Sequence, residues 1–256
     1  MIGVILAAGM AKRLRPLTDT MPKCLLKVGG RTLLERTVDA MAAAGITEFV
    51  VVTGYRAEQI REFLSPLTIP EQSSPTRSLS HPSPLCFHFL HNADYENNNN
   101  IYSLWLSGQV VWGREFLLMD SDILCDPQAV AEVARQTEPA LALNRHELGE
   151  EEMKIVVDAD FRITEISKTC RVSDAIGESV GIEKMTADYS EALFRELDQM
   201  ILNEGLIDIF YERAFERLIP QGHTFRVIDT TNYFSYELDT PEDFQRAQEL
   251  MPAKLL

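Results

Sequence analysis

Two kinds of residue in this 256-residue chain have the types and spacing for chemistry on phosphate. The first is a small, basic N-terminal stretch, Leu6-Ala7-Ala8-Gly9, followed by Lys12-Arg13 and Pro22-Lys23. Ala7, Ala8 and Gly9 put no bulky side chain between backbone N–H groups and a ligand. Backbone amides at a strand-to-helix turn, with basic side chains following, favour a polyphosphate. Leu6, Ala7, Ala8 and Gly9 are therefore candidate nucleotide-binding residues. Arg13 and Lys23 are the candidate catalytic cations, neutralising charge on a transferring phosphorus and a departing pyrophosphate.

The second kind is acidic and occurs twice. The apolar run Phe116-Leu117-Leu118-Met119 ends in Asp120-Ser121-Asp122, and Tyr233 to Tyr236 ends in Glu237-Leu238-Asp239. Strand alternation predicts that Asp120 and Asp122 share one side, and that Glu237 and Asp239 do too. Open α/β sheets bind ligands beyond the carboxyl ends of their strands. Hard oxygen ligands from Asp122, Glu237 and Asp239 suit Mg²⁺ on nucleotide phosphates, with Ser121 beside the nucleotide. Helix capping is the competing reading of Asp120 and Asp122. Glu242 and Asp243 are accounted for otherwise, by a helix start at Thr240-Pro241.

The elements that must hold these groups follow an α/β rhythm. An apolar strand at Val4–Leu6, a helix over Leu33–Ala44 with Gly45 after it, a strand over Glu48–Tyr55 and a helix over Ala57–Leu64 spell βαβ units. A strand over Cys86–Asn92 precedes four asparagines, residues 97–100, that suit a turn or helix N-cap. Asn99 and Asn100 also carry carboxamides able to read a nucleobase edge. Later come a helix over Pro127–Arg135, a strand over Ala140–Leu143 and a hairpin over Lys154–Ser167 turning at Asp158-Ala159-Asp160. The expected fold is a Rossmann-like, mostly parallel twisted sheet flanked by helices, with a small antiparallel acceptor-binding subdomain.

Residues 1–256 read as one domain, with residues 140–235 mostly for acceptor binding and 65–84 as a flexible Pro- and Ser-rich insertion. In the second half, Lys168 and Glu183 are candidate acceptor contacts, and helices are expected over Asp188–Asn203 and Leu206–Leu218. Asp208, Phe210, Tyr211 and Glu212 on the second helix would make an aromatic, acidic wall for a cation; core packing is the alternative.

A net charge of −15 argues against a general nucleic-acid binder, which needs a basic face. No apolar run reaches membrane-spanning length. The cysteines at 24, 86, 125 and 170 form no C-x-x-C pair, fitting a reducing, cytoplasmic setting. No P-loop lysine motif, no G-x-G-x-x-G and no supported Ser-His or Cys-His pair is present. That leaves direct in-line attack by an acceptor phosphate on an α-phosphorus, which needs positioning and electrostatics only.

Leu6-Ala7-Ala8-Gly9, Arg13-Leu14 and Pro22-Lys23 together resemble the signature of nucleotidyltransferases that activate sugar phosphates and phospho-alcohols. Asp122 matches that family's metal-binding aspartate, and the Tyr236–Thr240 segment its second metal position. Within the family, Asn99–Ser103 and Tyr236–Thr240 resemble the choline-phosphate cytidylyltransferase branch, Asp208–Glu212 its stretch around the choline ammonium, and Gly177-Glu178-Ser179 with Gly181-Ile182 the cytidylyltransferases for aminoethylphosphonate and inositol phosphate. The resemblance implies Mg²⁺-dependent transfer of CMP from CTP to phosphocholine or 2-aminoethylphosphonate, by a monomer or homodimer. A sugar-1-phosphate or inositol-phosphate nucleotidyltransferase and a non-catalytic nucleotide-sensing domain are the alternatives. Retention of Arg13, Lys23, Asp122 and Glu237 or Asp239 speaks against the last.

Overall fold

The computed structural model describes residues 1–68 and 84–255. Its first strand, β1 (Ile2–Ala7), is buried along its whole length because both of its faces are covered. Ile2, Val4 and Leu6 enter one hydrophobic core, and Ile5 and Ala7 enter another on the opposite face. This explains the unbroken apolar run, which is how a two-face-covered parallel strand reads in sequence. The chain then forms β2 (Lys27–Val28), β3 (Arg31–Thr32), α1 (Leu33–Ala43), β4 (Glu48–Thr53), α2 (Ala57–Leu64) and β5 (Cys86–His91). Thr32 caps α1 by accepting from the Glu35 N–H. Ser65–Thr68 is a 3₁₀ turn directly after α2. The rest of the expected insertion, up to residue 83, lies outside the described residues.

Next come α3 (Asn100–Val111), β6 (Phe116–Asp120), β7 (Ile123–Cys125), α4 (Pro127–Ala134), β8 (Ala140–Asn144), β9 (Lys154–Val157), β10 (Ile163–Ser167) and β11 (Gly177–Met185). The chain finishes with α5 (Ala187–Asp198), α6 (Glu212–Leu218), β12 (Arg226–Asp229), β13 (Ser235–Glu237) and α7 (Pro241–Leu250). The main sheet has nine strands, with β10-β9-β11-β6-β1-β4-β5 in order, β8 on β11, and β12 on β8. β6, β1, β4 and β5 are mutually parallel, whereas β11 is antiparallel to β6, β8 and β9. The fold is thus mixed α/β with helices on a central parallel sheet. The antiparallel strands β8 to β11 extend that sheet, whereas β2 with β3 and β7 with β13 form separate two-stranded antiparallel sheets.

Three sequence expectations change. The turn after β1 leads into a single 3₁₀ turn, Lys12–Leu14, entered through Ala11 in a left-handed conformation at φ 46°. The helix expected to run to Asn203 is α5 followed by a π-helical turn, Gln199–Asn203. No helix begins at Leu206. Gly205 turns left-handed at φ 70°, and the chain stays irregular until α6 starts at Glu212.

Candidate active site

The carboxyl ends of β1 and β6 open into a cavity of about 540 Å³. At its donor end the N-terminal turn is held from the neighbouring strand, since Tyr55 N–H donates to Ala8 O at 2.9 Å. A Cβ at Gly54 would stand 2.7 Å from Ala8 O, so that close approach requires glycine. A Cβ on Gly9 would meet no protein atom within 4 Å, and Gly9 lines the cavity with Leu6, Ala7 and Ala8. The open space beside this backbone therefore faces the cavity. Tyr55 and Arg56 hold the loop that leads to Lys23, donating to Thr18 O at 2.8 Å and Asp19 O at 2.6 Å.

Lys23 follows Pro22 in a second 3₁₀ turn and is nearly buried. Its ammonium donates to Asp122 Oδ2 and to Asp239 Oδ1, each at 2.9 Å, and Arg13 donates to Asp239 Oδ2 at 2.6 Å. Burial alone would lower the Lys23 pKa, but Asp122 and Asp239 outweigh it and hold the group above its usual value. The two carboxylates are brought together by pairing of β13 with β7 and by Leu238 N–H donating to Asp122 O at 3.2 Å. The capping box of α7, Thr240 with Asp243, fixes the chain just after Asp239. Burial of Leu124, Leu238, Ala247 and Met251 in a third core seats α7 against these strands.

Asp122, Glu237 and Asp239 present carboxylate oxygens that all lie within 4.8 Å of one another. Three hard oxygen donors at that spacing fit a divalent cation such as Mg²⁺. The Glu237 carboxyl is raised to about 8 by desolvation, then by Asp122 and Asp239. A cation shared among the three would relieve that repulsion. The capping alternative for Asp120 and Asp122 does not hold, because Asp126 caps α4 by accepting from Gln128 N–H. Nor do the two act as an alternating pair. Asp122 lies past the end of β6 and meets Lys23, whereas Asp120 accepts from the Tyr211 hydroxyl at 2.9 Å.

Beside the donor turn, Asn99, Asn100 and Ser121 line the cavity as expected. Asn99 caps α3. Asn100 Oδ1 accepts from Tyr211 N–H at 2.9 Å. Both carboxamide oxygens are thus engaged within the protein. Asn92 and Asn98 also line the cavity and pair reciprocally, at 2.7 and 3.1 Å.

At the acceptor end the expected residues divide. Lys168 and Glu212 line the cavity, together with Phe210. Asp208 is exposed away from it, and Glu183 and Tyr211 are fully buried behind it. Tyr211 is turned inward by its two hydrogen bonds, so the aromatic wall reduces to Phe210. Behind that wall Asp120, Glu183 and Glu212 form an acidic cluster. Burial and then Asp122 and Glu212 push Asp120 well above the usual carboxylate range. Burial, then Asp120 and Glu212, do the same to Glu183, and burial raises Glu212 to about 7. Gly181, at φ 77°, lets β11 pass close by; a Cβ there would stand 3.2 Å from Asp120 Oδ2.

Three features were missed from sequence. Glu178, half-buried and bonded to His146 at 2.6 Å, lines the cavity. So do Glu151 and Glu152, on a loop gathered by the buried Lys154, whose ammonium donates to Gly149 O, Glu150 O and Glu152 O at 3.0 to 3.3 Å. Cys24 also lines it, but burial pushes its thiol up to about 12, which leaves no thiolate for covalent chemistry. The signal for the Glu-rich lip was present in the run Glu150-Glu151-Glu152; its position was not.

Residues 3–83 match the MobA-like NTP transferase domain. Among proteins of similar sequence are the CMP-5'-(3-aminopropyl)phosphonate synthase of Streptomyces rubellomurinus and the choline-phosphate cytidylyltransferase of Streptococcus pneumoniae. The first is 27% identical over 95% of this chain and 38% of that protein. The second is 20% identical over 98% of each. This chain therefore spans under two fifths of the length of the Streptomyces protein. The solved CTP:phosphocholine cytidylyltransferase of Streptococcus pneumoniae has the same fold, with a TM-score of 0.78 at 20% identity over 98% of this chain and 99% of that one. Relatives in sequence and neighbours in fold are nucleotidyltransferases, CTP-dependent cytidylyltransferases among them. Among the described residues no helix is long and apolar enough to cross a membrane.

Proposed function

We propose that this protein is a Mg²⁺-dependent cytidylyltransferase that moves CMP from CTP to a small phospho-alcohol or phosphonate acceptor and releases pyrophosphate. The observation that carries this reading is the Lys23 ammonium set 2.9 Å from both Asp122 and Asp239, at the mouth of the N-terminal turn. Relatives that act on choline phosphate or make a CMP-phosphonate support the substrate class.

Asp122, Glu237 and Asp239 would hold the metal ion, which when bound neutralises and orients the triphosphate. The backbone from Leu6 to Gly9 would bind the triphosphate, and Arg13 and Lys23 would turn from Asp239 and Asp122 onto its oxygens. An acceptor oxygen attacks the α-phosphorus in line, forming the new P–O bond as the bond to pyrophosphate breaks. Lys23 and Arg13 stabilise the charge that grows there. With their oxygens engaged, Asn99 and Asn100 offer amide donors, which suit the adjacent O2 and N3 acceptors of cytosine.

The acceptor end, lined by Glu151, Glu152, Glu178 and Glu212, favours an acceptor that carries a cation over a sugar phosphate, which would leave that negative charge uncompensated. The deciding measurement is pyrophosphate release with each NTP against phosphocholine, phosphoethanolamine, 2-aminoethylphosphonate, inositol phosphate and sugar phosphates. Turnover restricted to CTP and an amino- or ammonium-bearing acceptor is expected. Turnover only with glucose 1-phosphate and UTP or dTTP would overturn the reading.

A further inference from the structure

Among the described residues, the acceptor end of the cavity has one aromatic face, and that face is taken. The aromatic residues lining the cavity are Tyr95, which stacks edge-on with Tyr55 at the donor end, and Phe210. The Lys168 ammonium lies 4.8 Å from the centre of the Phe210 ring. A quaternary ammonium has no N–H to donate and relies on aromatic faces for its binding. The groups that remain accept hydrogen bonds. Glu212 is 8% exposed and lines the cavity, and its Oε2 has no hydrogen-bond partner. Asp120 lines the cavity beside it and accepts from the Tyr211 hydroxyl.

From this we infer that the acceptor's cationic group is a primary ammonium, bound by N–H donation to Glu212 and Asp120, and that Lys168 acts as the specificity-determining residue by occupying the face a quaternary ammonium would need. The identity of the acceptor's anion rests on the transferase reading above; the choice among amines does not. Lys168, 3.5 Å from Glu151, lines the cavity with Phe210 and so also offers its charge to the acceptor's phosphate or phosphonate.

The test uses one series: phosphoethanolamine, its N-methyl and N,N-dimethyl derivatives, and phosphocholine. Each is titrated into the intact protein by calorimetry without nucleotide, and each is assayed with CTP for pyrophosphate release. Affinity and kcat/KM are expected to fall with each methyl, by about 10-fold or more from the primary to the quaternary amine. Lys168→Met, which bares the Phe210 face, is expected to narrow that ratio. Phosphocholine bound as tightly as phosphoethanolamine would overturn the inference, as would a ratio unmoved by Lys168→Met or no binding of any member. Graded binding without pyrophosphate release would uphold the amine preference and sink the transferase reading instead.

Discussion

The two ends of the cavity treat the acidic groups at their centres in different ways. At the donor end each carboxylate of the Asp122–Asp239 pair meets a cation, from Lys23 or Arg13. At the acceptor end Asp120, Glu183 and Glu212 receive hydrogen bonds from Tyr211 and Ser179, but no lysine or arginine bonds them among the described residues. The paired Asp122 and Asp239 hold their geometry without a ligand and must exchange partners when one arrives, while Glu237 beside them stays raised to about 8. An unbalanced, desolvated cluster keeps protons until a cation replaces them. The difference is the one the proposed function needs: an anion and its metal would go to the first end, a cationic group to the second.

The strongest test of the donor end is Lys23→Ala. Turnover is expected to fall about 100- to 1,000-fold for every acceptor alike, since one preorganised charge on the reacting phosphate is gone. The same substitution leaves Asp122 and Asp239 without their ammonium. Mn²⁺ titrated in the absence of nucleotide, followed by electron paramagnetic resonance, is therefore expected to bind more tightly than in the unaltered protein. Equal effects of Lys23→Ala on acceptor affinity and on turnover would erase the division between the ends.

Glu212→Gln tests the acceptor end. The KM for a cationic acceptor is expected to rise about 10-fold, with the KM for CTP unchanged. Its stability effect has the opposite sign. Burial raises Glu212 from 4.5 to about 7, so between those values the folded protein binds more protons than the unfolded chain. Stability falls as pH rises through that window, and the full penalty of the buried charge is present above pH 7. Thermal melts should show the unaltered protein losing a few degrees of Tm between pH 5 and 8 that Glu212→Gln retains. Parallel pH curves for the two proteins would contradict an unbalanced cluster.

The same contrast governs what could be read from sequence. Donor-end groups sit in short local patterns: Ala7-Ala8-Gly9, Pro22-Lys23, acids at strand ends, and a Thr240 capping box that the structure reproduces. Acceptor-end geometry depends on bonds between distant segments. Residues 206–211 were read as helix because their apolar spacing allows it. Gly205 and the hydrogen bonds from Asn99 N–H to Ile207 O and from Tyr211 N–H to Asn100 Oδ1 hold them otherwise. That rotation buries Tyr211, exposes Asp208 and leaves Phe210 facing the cavity. The sequence offers Glu183 as an acceptor contact, but its register opposite Leu118 and Leu141 takes it behind the wall. Lys154 gave no local sign that it would gather the loop of Glu151 and Glu152.

Tyr211→Phe sharpens the comparison further, because it removes one hydrogen bond from Asp120 and little volume. The acceptor KM is expected to rise about 3- to 10-fold with CTP binding unchanged, while the melting temperature falls by a few degrees as a buried carboxyl loses its hydrogen bond. Steady-state kinetics with both substrates varied would separate this from a general weakening of the site, in which both KM values rise together.

The smallest effect belongs to Thr240→Ala, and it shows how firmly the donor end is built. Thr240 caps α7 and is paired with Asp243, which also accepts from Asp239 N–H at 3.3 Å, so the cap and the carboxylate beside Lys23 share one support. Losing the cap should cost about 1 kcal/mol of stability. Asp239 is nevertheless held from its side chain by Lys23 and Arg13, and its strand by Leu238 N–H on Asp122 O. Turnover at saturating substrate is therefore expected to stay within about 2-fold of the unaltered protein while the melt shifts down, because the ion pairs persist without the cap. A drop in turnover as large as that of Lys23→Ala would mean that the α7 cap, rather than the cation pairing, sets the position of Asp239.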